Sequence, residues 1–151
     1  MTTMQTKRIR PSKSYELSLP RAVRVEHDGR VSSFWIDGEP LLLQLSSYIR
    51  EDGRQVMAQD RLRERIAGSS GKWTAWARVL NEDPHVDQAI AEITDEHDIL
   101  WVHAYLVWPQ LAIYVTISGP AEIARDPDNW AMKGLRGLAQ VVQLSGRGGA
   151  D

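Results

Sequence analysis

Four histidines, His27, His85, His97 and His103, are the side chains of this chain best suited to moving a proton or holding a metal near neutral pH. His97 and His103 fall on the same side of an extended strand, and the acidic run EITDEHD places Glu92, Asp95, Glu96 and Asp98 close by. A metal site needs such ligands to converge at about 2 Å. No histidine pair one helical turn apart is present, so the run reads as a solvated element end and no metal is expected. His103 is a candidate general acid or base only if a carboxylate or nucleophile stands beside it, and no motif supplies one. The run GSSGK at 68–72 is not a phosphate loop, because its spacing is short and Trp73 follows the lysine instead of Ser or Thr. It reads as a connector. Arg54, Arg61 and Arg65 share one face of a helical stretch and could meet an acidic partner, although Asp60 and Glu64 beside them favour an ordinary solvated face. No catalytic residue and no cofactor is expected.

The aromatic residues point elsewhere. Six tryptophans stand against one phenylalanine. Tryptophan offers a large apolar area and one polar handle, which serves both cores and binding hot spots. Trp108 and Trp130 are expected in the core. Trp101 shares a strand face with His103, Tyr105 and Tyr114, where core and binding roles weigh equally. The expected partner-contact set is therefore Trp101, His103, Tyr105 and Tyr114, with Tyr48 and Arg50 as a second patch.

That face lies in the most apolar segment, HDILWVHAYLVWPQLAIYVTISGP (97–120). Its length approaches the ~20 residues of a membrane-spanning helix. Pro109 and Gln110 at its centre, and its β-branched and aromatic content, fit two strands better, about 99–108 and 111–118, joined by a turn at Pro109-Gln110. Alternate residues then divide. Leu100, Val102, Ala104, Leu106, Trp108, Leu111, Ile113, Val115 and Ile117 form a core face, and the opposite face must be covered by a helix or used to bind.

Upstream, Asp28-Gly29, Asp37-Gly38 and Asp52-Gly53 are turn signals bounding runs at 21–27, 30–36 and 40–50, which predict a three-stranded antiparallel meander. The stretch 55–66 has helical period, and 73–80 is read as a strand. Asp83-Pro84 and Asp126-Pro127 each look like a helix start, with aspartate as cap and proline in the first turn. They predict a helix burying Val86, Ala89, Ile90 and Ile93, and a last helix to about 144 burying Ala131, Leu135, Leu138 and Val142. Gly134 and Gly137 inside that helix imply close packing on a sheet. The expected architecture is one α+β domain over 14–144, an antiparallel sheet with about three packed helices. A disordered basic arm (1–13) carrying Lys7, Arg8, Arg10 and Lys13 precedes it, and a flexible tail (145–151) follows.

The strands and helix in LAIYVTISGP (111–120) and NWAMKGLRGLAQVV (129–142) give the chain a layout that resembles PsbP-like and DcrB-like domains. That resemblance implies a non-catalytic adaptor, chaperone or assembly factor, including chaperones of secreted effectors, and it carries no site residue across.

The 151 residues have a net charge of −2 and no cysteine. The first excludes a chain-wide attraction to nucleic acid, and four basic residues without aromatics make a weak nucleic-acid footprint. The second excludes disulfides, thiolate metal sites and cysteine nucleophiles. No secretory signal is visible at the start, so a cytoplasmic bacterial protein without membrane insertion is expected. Of the 18 basic residues only Lys7, Lys13, Lys72 and Lys133 are lysine. The expected partner is another protein, such as a secreted effector or toxin, and the edge of the meander leaves room for a homodimer. The competing expectation is a small-molecule binder or enzyme with a pocket near His103.

Overall fold

The computed structural model describes residues 5–49, 57–69 and 71–141. Two antiparallel sheets face each other across one core. The larger has seven strands in the order β3-β4-β5-β9-β8-β7-β6: β3 Arg24–Asp28, β4 Val31–Trp35, β5 Leu42–Ile49, β6 Thr74–Ala75, β7 Asp87–Thr94, β8 Ile99–Val107 and β9 Leu111–Pro120. The smaller is β1 Thr6–Ser12, β2 Tyr15–Pro20 and β10 Ala139–Gln140, in the order β1-β2-β10. Among the described residues there are three helices: α1 Ala58–Ile66, α2 Ala121–Ala124 and α3 Trp130–Arg136. The molecule is an α+β sandwich, as its alternation of apolar residues and turn signals requires.

The hairpin β8–β9 is the spine. Its register runs from Ile99↔Pro120 to Val107↔Ala112. The turn closes with Trp108 N donating to Leu111 O (2.7 Å) and Leu111 N to Trp108 O (3.4 Å), the geometry expected of Pro109-Gln110. Every residue assigned to its inner face is buried, and with Phe34, Leu43, Leu45, Leu17 and Leu19 they make the main core. The meander is present as β3, β4 and β5, and Gly29 (φ 64°) and Gly38 (φ 84°) turn with the positive angles that Asp-Gly pairs permit. The third pair, Asp52-Gly53, lies outside the described residues.

Three expectations are corrected. Within the segment assigned to a disordered basic arm, Thr6–Ser12 form β1, paired with β2 from Thr6↔Pro20 to Ile9↔Leu17. Arg8 and Arg10 ion-pair with Glu16 at 2.7 and 3.3 Å. Lys7 donates to the Val23 carbonyl (3.1 Å), while Ile9 packs on the core. Pro11 and the charges of this strand hide its pairing, yet both suit an edge strand, where an unpaired rim must repel other chains.

Asp83-Pro84 does not start a helix. Asp83 instead accepts hydrogen bonds from His85 N (2.8 Å) and Trp108 Nε1 (2.9 Å), and the chain enters β7. The open edge of β8 offers a full ladder to β7, from Asp87↔Val107 to Thr94↔Leu100. That ladder outweighs a local cap signal, because sheet pairing satisfies the same backbone groups while sending Ile90 into the core. Residues 73–80 contribute only the short strand β6.

The last helix is broken and short. Asn129, not Asp126, caps α3: its side chain accepts from Met132 N (2.7 Å) and donates to the Ile123 carbonyl (2.8 Å). The helix stops at Arg136. The buried Asn81 side chain then donates to the Leu135 (2.7 Å) and Leu138 (2.9 Å) carbonyls, and the chain turns into β10. Ala131, Leu135 and Leu138 are buried as expected, and Val142 and the tail lie outside the described residues. The inferred close packing is real at Gly134, where an added Cβ would lie 2.5 Å from Leu19 Cδ2 and 3.0 Å from the Ser18 carbonyl oxygen, but not at Gly137, which caps α3 and faces open space.

Candidate functional site

The outer face of the large sheet, opposite the core, is half covered. Helix α1 lies over β7 and β8, where Ala58 and Leu62 pack with Ala91, Tyr105, Val107 and Ala112. The alanines of β7 leave the depth that the helix fills. Asp87 of β7 ties its start, accepting from Ala58 N at 2.7 Å. Towards β9 and β5 the face continues beyond the helix through the half-buried row His103, Thr116, Gln44 and Ser33, paired strand to strand. Gln44 donates to Ser33 Oγ (3.1 Å) and accepts from Thr116 Oγ1 (3.4 Å). This open, polar and aromatic half of the face is the candidate site.

His103 stands at its centre. Its ring is edge-on to Trp73, with centroids 4.7 Å apart, and tilted against Tyr114 at 5.6 Å and Trp101 at 6.4 Å. Its Nδ1 is hydrogen-bonded to the Tyr114 hydroxyl. Burial, with Arg65 nearby, lowers the imidazole pKa to about 4. Burial likewise pushes the Tyr114 phenol up to about 12, against the opposing pull of Arg65. Both groups are neutral at pH 7, so the phenol donates, Nδ1 accepts, and the imidazole proton sits on Nε2. An imidazole held this low lacks the acidic imidazolium proton at neutral pH and is a weak base.

Arg65, on the exposed side of α1, lays its guanidinium over the Tyr114 ring, 4.2 Å from the centroid. Burial alone would lower its pKa. Hydrogen bonding to Tyr105, attraction to Tyr105 and Tyr114, and hydrogen bonding to Tyr48 more than offset that and raise it. Tyr48 also carries Arg30 over its ring at 5.6 Å. Among the described residues no carboxylate lies within ion-pairing distance of Arg65 or Arg30. Trp73 Nε1 is buried without a hydrogen-bond acceptor among the described residues.

The structure therefore gathers Trp101, His103, Tyr114 and Tyr48 on one half-buried face. Tyr105 shares the face but is only 6% exposed, sealed under α1, so it packs the helix and is not an open contact residue. Arg50 lies outside the described residues. Trp101 is pinned, its Nε1 donating to Asp95 Oδ2 at 3.0 Å. The acidic run around Asp95 is a tight turn: Asp95 Oδ1 accepts from His97 N (2.8 Å) and Ile99 N (3.0 Å), and Asp98 takes a positive φ of 62°. No group of three or more His, Asp or Glu side chains among the described residues is placed to hold a metal ion. Arg30 was not legible as a site residue, because only the β4–β5 pairing brings the turn before β4 beside Tyr48.

No family model matches the chain, and no curated protein matches it. Among solved structures, a crystal structure of a protein from Bacteroides thetaiotaomicron VPI-5482 is similar, with a TM-score of 0.57 at 12% identity, over 85% of this chain and 46% of that one. The chain thus spans less than half the length of that protein, and the likeness is one of fold alone. No helix among the described residues is long and apolar enough to cross a membrane.

Proposed function

We propose that this chain is a non-enzymatic binding domain that engages another protein through the open half of its outer sheet face. The observation that carries this reading is the half-buried chain of rings Trp101, His103 and Tyr114 beside α1, with Tyr48 further along the same face. Aromatic area of this kind, with polar tips and few flexible side chains, is what protein-binding hot spots use. The neutral His103–Tyr114 pair supports binding over acid–base chemistry, since neither group exchanges a proton near pH 7. The resemblance in layout to PsbP-like and DcrB-like domains supports an adaptor, an effector chaperone or an immunity-type inhibitor acting in the bacterial cytoplasm, with a secreted effector or toxin as partner.

Affinity capture from lysate of the source organism, comparing the parent with Trp101→Ala/Tyr48→Ala, tests this reading. A protein held by the parent and lost by the variant, with both showing the same circular dichroism spectrum, is the expected result. A folded variant that captures the same proteins as the parent refutes it.

A further inference from the structure

Two cations stand over neighbouring tyrosines of the open face. Arg65 of α1 lies over the Tyr114 ring at 4.2 Å, and Arg30 of the β3–β4 turn lies over the Tyr48 ring at 5.6 Å, the two tyrosines standing on the paired strands β9 and β5. Among the described residues no carboxylate ion-pairs with either arginine. Asp87 holds Ala58 N at 2.7 Å, and Asp60 faces Arg63 at 3.9 Å. Asp28 stands two residues before Arg30 in the β3–β4 turn, and no ion pair joins them. The chain as a whole carries −2, so this positive spot is a local exception and not a general basic character. The two guanidiniums and the Tyr48 hydroxyl supply polar hydrogens there. Such a surface attracts a group that brings negative charge and oxygen acceptors, and a guanidinium fork matches a carboxylate in both.

We propose that the partner's contacting segment is acidic, and that one of its side-chain carboxylates seats between Arg65 and Arg30 against Tyr48. This rests on the reading of the open face as a protein-binding surface. The acid supplies the countercharge that the described residues withhold, and the aromatic rings beside it take the apolar part of the same segment. Charge complementarity of this sort sets partner choice and encounter rate.

The probe is a fluorescein-labelled hexaglutamate peptide, followed by anisotropy at low salt. Saturable binding that weakens as salt rises is expected. Arg65→Gln and Arg30→Gln should each weaken it by about fivefold or more, Arg65→Lys by less. Lys133→Gln removes the same charge from the exposed side of α3 and should leave binding unchanged. Arg30 lies on an exposed turn, so its variant folds even if Arg65→Gln does not. Absence of binding, or equal losses from Lys133→Gln, would overturn the proposal. So would a single-stranded RNA decamer that binds more tightly with the same arginine dependence. The two readings fail separately. If a captured partner is lost by Trp101→Ala but kept by both arginine variants, the carboxylate assignment fails and the face remains. If all of them keep it, both fail.

Discussion

Replacing His103 by glutamine should abolish one segment of the protein's stability–pH profile. In the folded chain the imidazole titrates at about 4, against 6.5 in an ordinary setting, because burial first and Arg65 second oppose its positive form. A depressed histidine pKa means that the unfolded chain takes up the proton first. The folded state is therefore fully favoured above pH 6.5, loses ground as pH falls from 6.5 towards 4, and loses nothing further from this group below that. A fall of this size corresponds to about 3 kcal/mol at 1.36 kcal/mol per pH unit. The ring is only part-buried, and solvent screening brings the expected effect to about 1–2 kcal/mol. Urea unfolding of parent and His103→Gln at pH 7.5, 6.5, 5.5 and 4.5 reads it directly. The parent should lose about 1–2 kcal/mol more than the variant across that range, with most of the divergence below pH 6.5. Parallel profiles would refute the neutral His103–Tyr114 pair, and with it the physical argument against proton-transfer chemistry at this site.

Three further perturbations probe the frame that holds the face. Gly134→Ala gains about 1 kcal/mol of helix propensity but drives a methyl to 2.5 Å from Leu19 Cδ2 and 3.0 Å from the Ser18 carbonyl. Overpacking of about 1–3 kcal/mol should win. A melting temperature lower by about 2–4 °C is expected, and an increase would show that β2 and α3 have slack. Deleting residues 1–12 removes β1 and leaves β2 paired only with the two-residue β10. The truncated chain should lose cooperative thermal unfolding, whereas a free arm would leave it unchanged. Asp95→Ala releases Trp101 Nε1 and two backbone donors of the β7–β8 turn. It should lower the melting temperature and shift the tryptophan fluorescence, and an unaltered spectrum would dismiss the tether.

What was readable in advance was what strict alternation encodes. Leu100 to Trp108 and Leu111 to Ile117 declare their inner face residue by residue, and two glycines after aspartate fix the meander turns. β7 was not readable, because Ala89, Ile90 and Ile93 fit a helical stripe as well as a strand, and only the ladder offered by β8 decides between them. β1 was hidden for the opposite reason: its side chains are those of a guarded edge, with Arg8 and Arg10 answered by Glu16 across the hairpin. The site followed the same division. Trp101, His103 and Tyr114 share a face by parity alone. That α1 would seal Tyr105 while leaving Tyr48 open depends on how far along the sheet the helix lies, and the placing of Arg65 and Arg30 over the neighbouring Tyr114 and Tyr48 depends on strand order.

Contact between the open face and another protein can be tested directly. A photo-crosslinking amino acid placed at Tyr48, and in parallel at Lys133 on the opposite side of the sandwich, reads this in living cells. A discrete cross-linked species from position 48 and none of the same mass from position 133 is the predicted result. No cross-link from position 48, or the same species from both positions, would contradict the account.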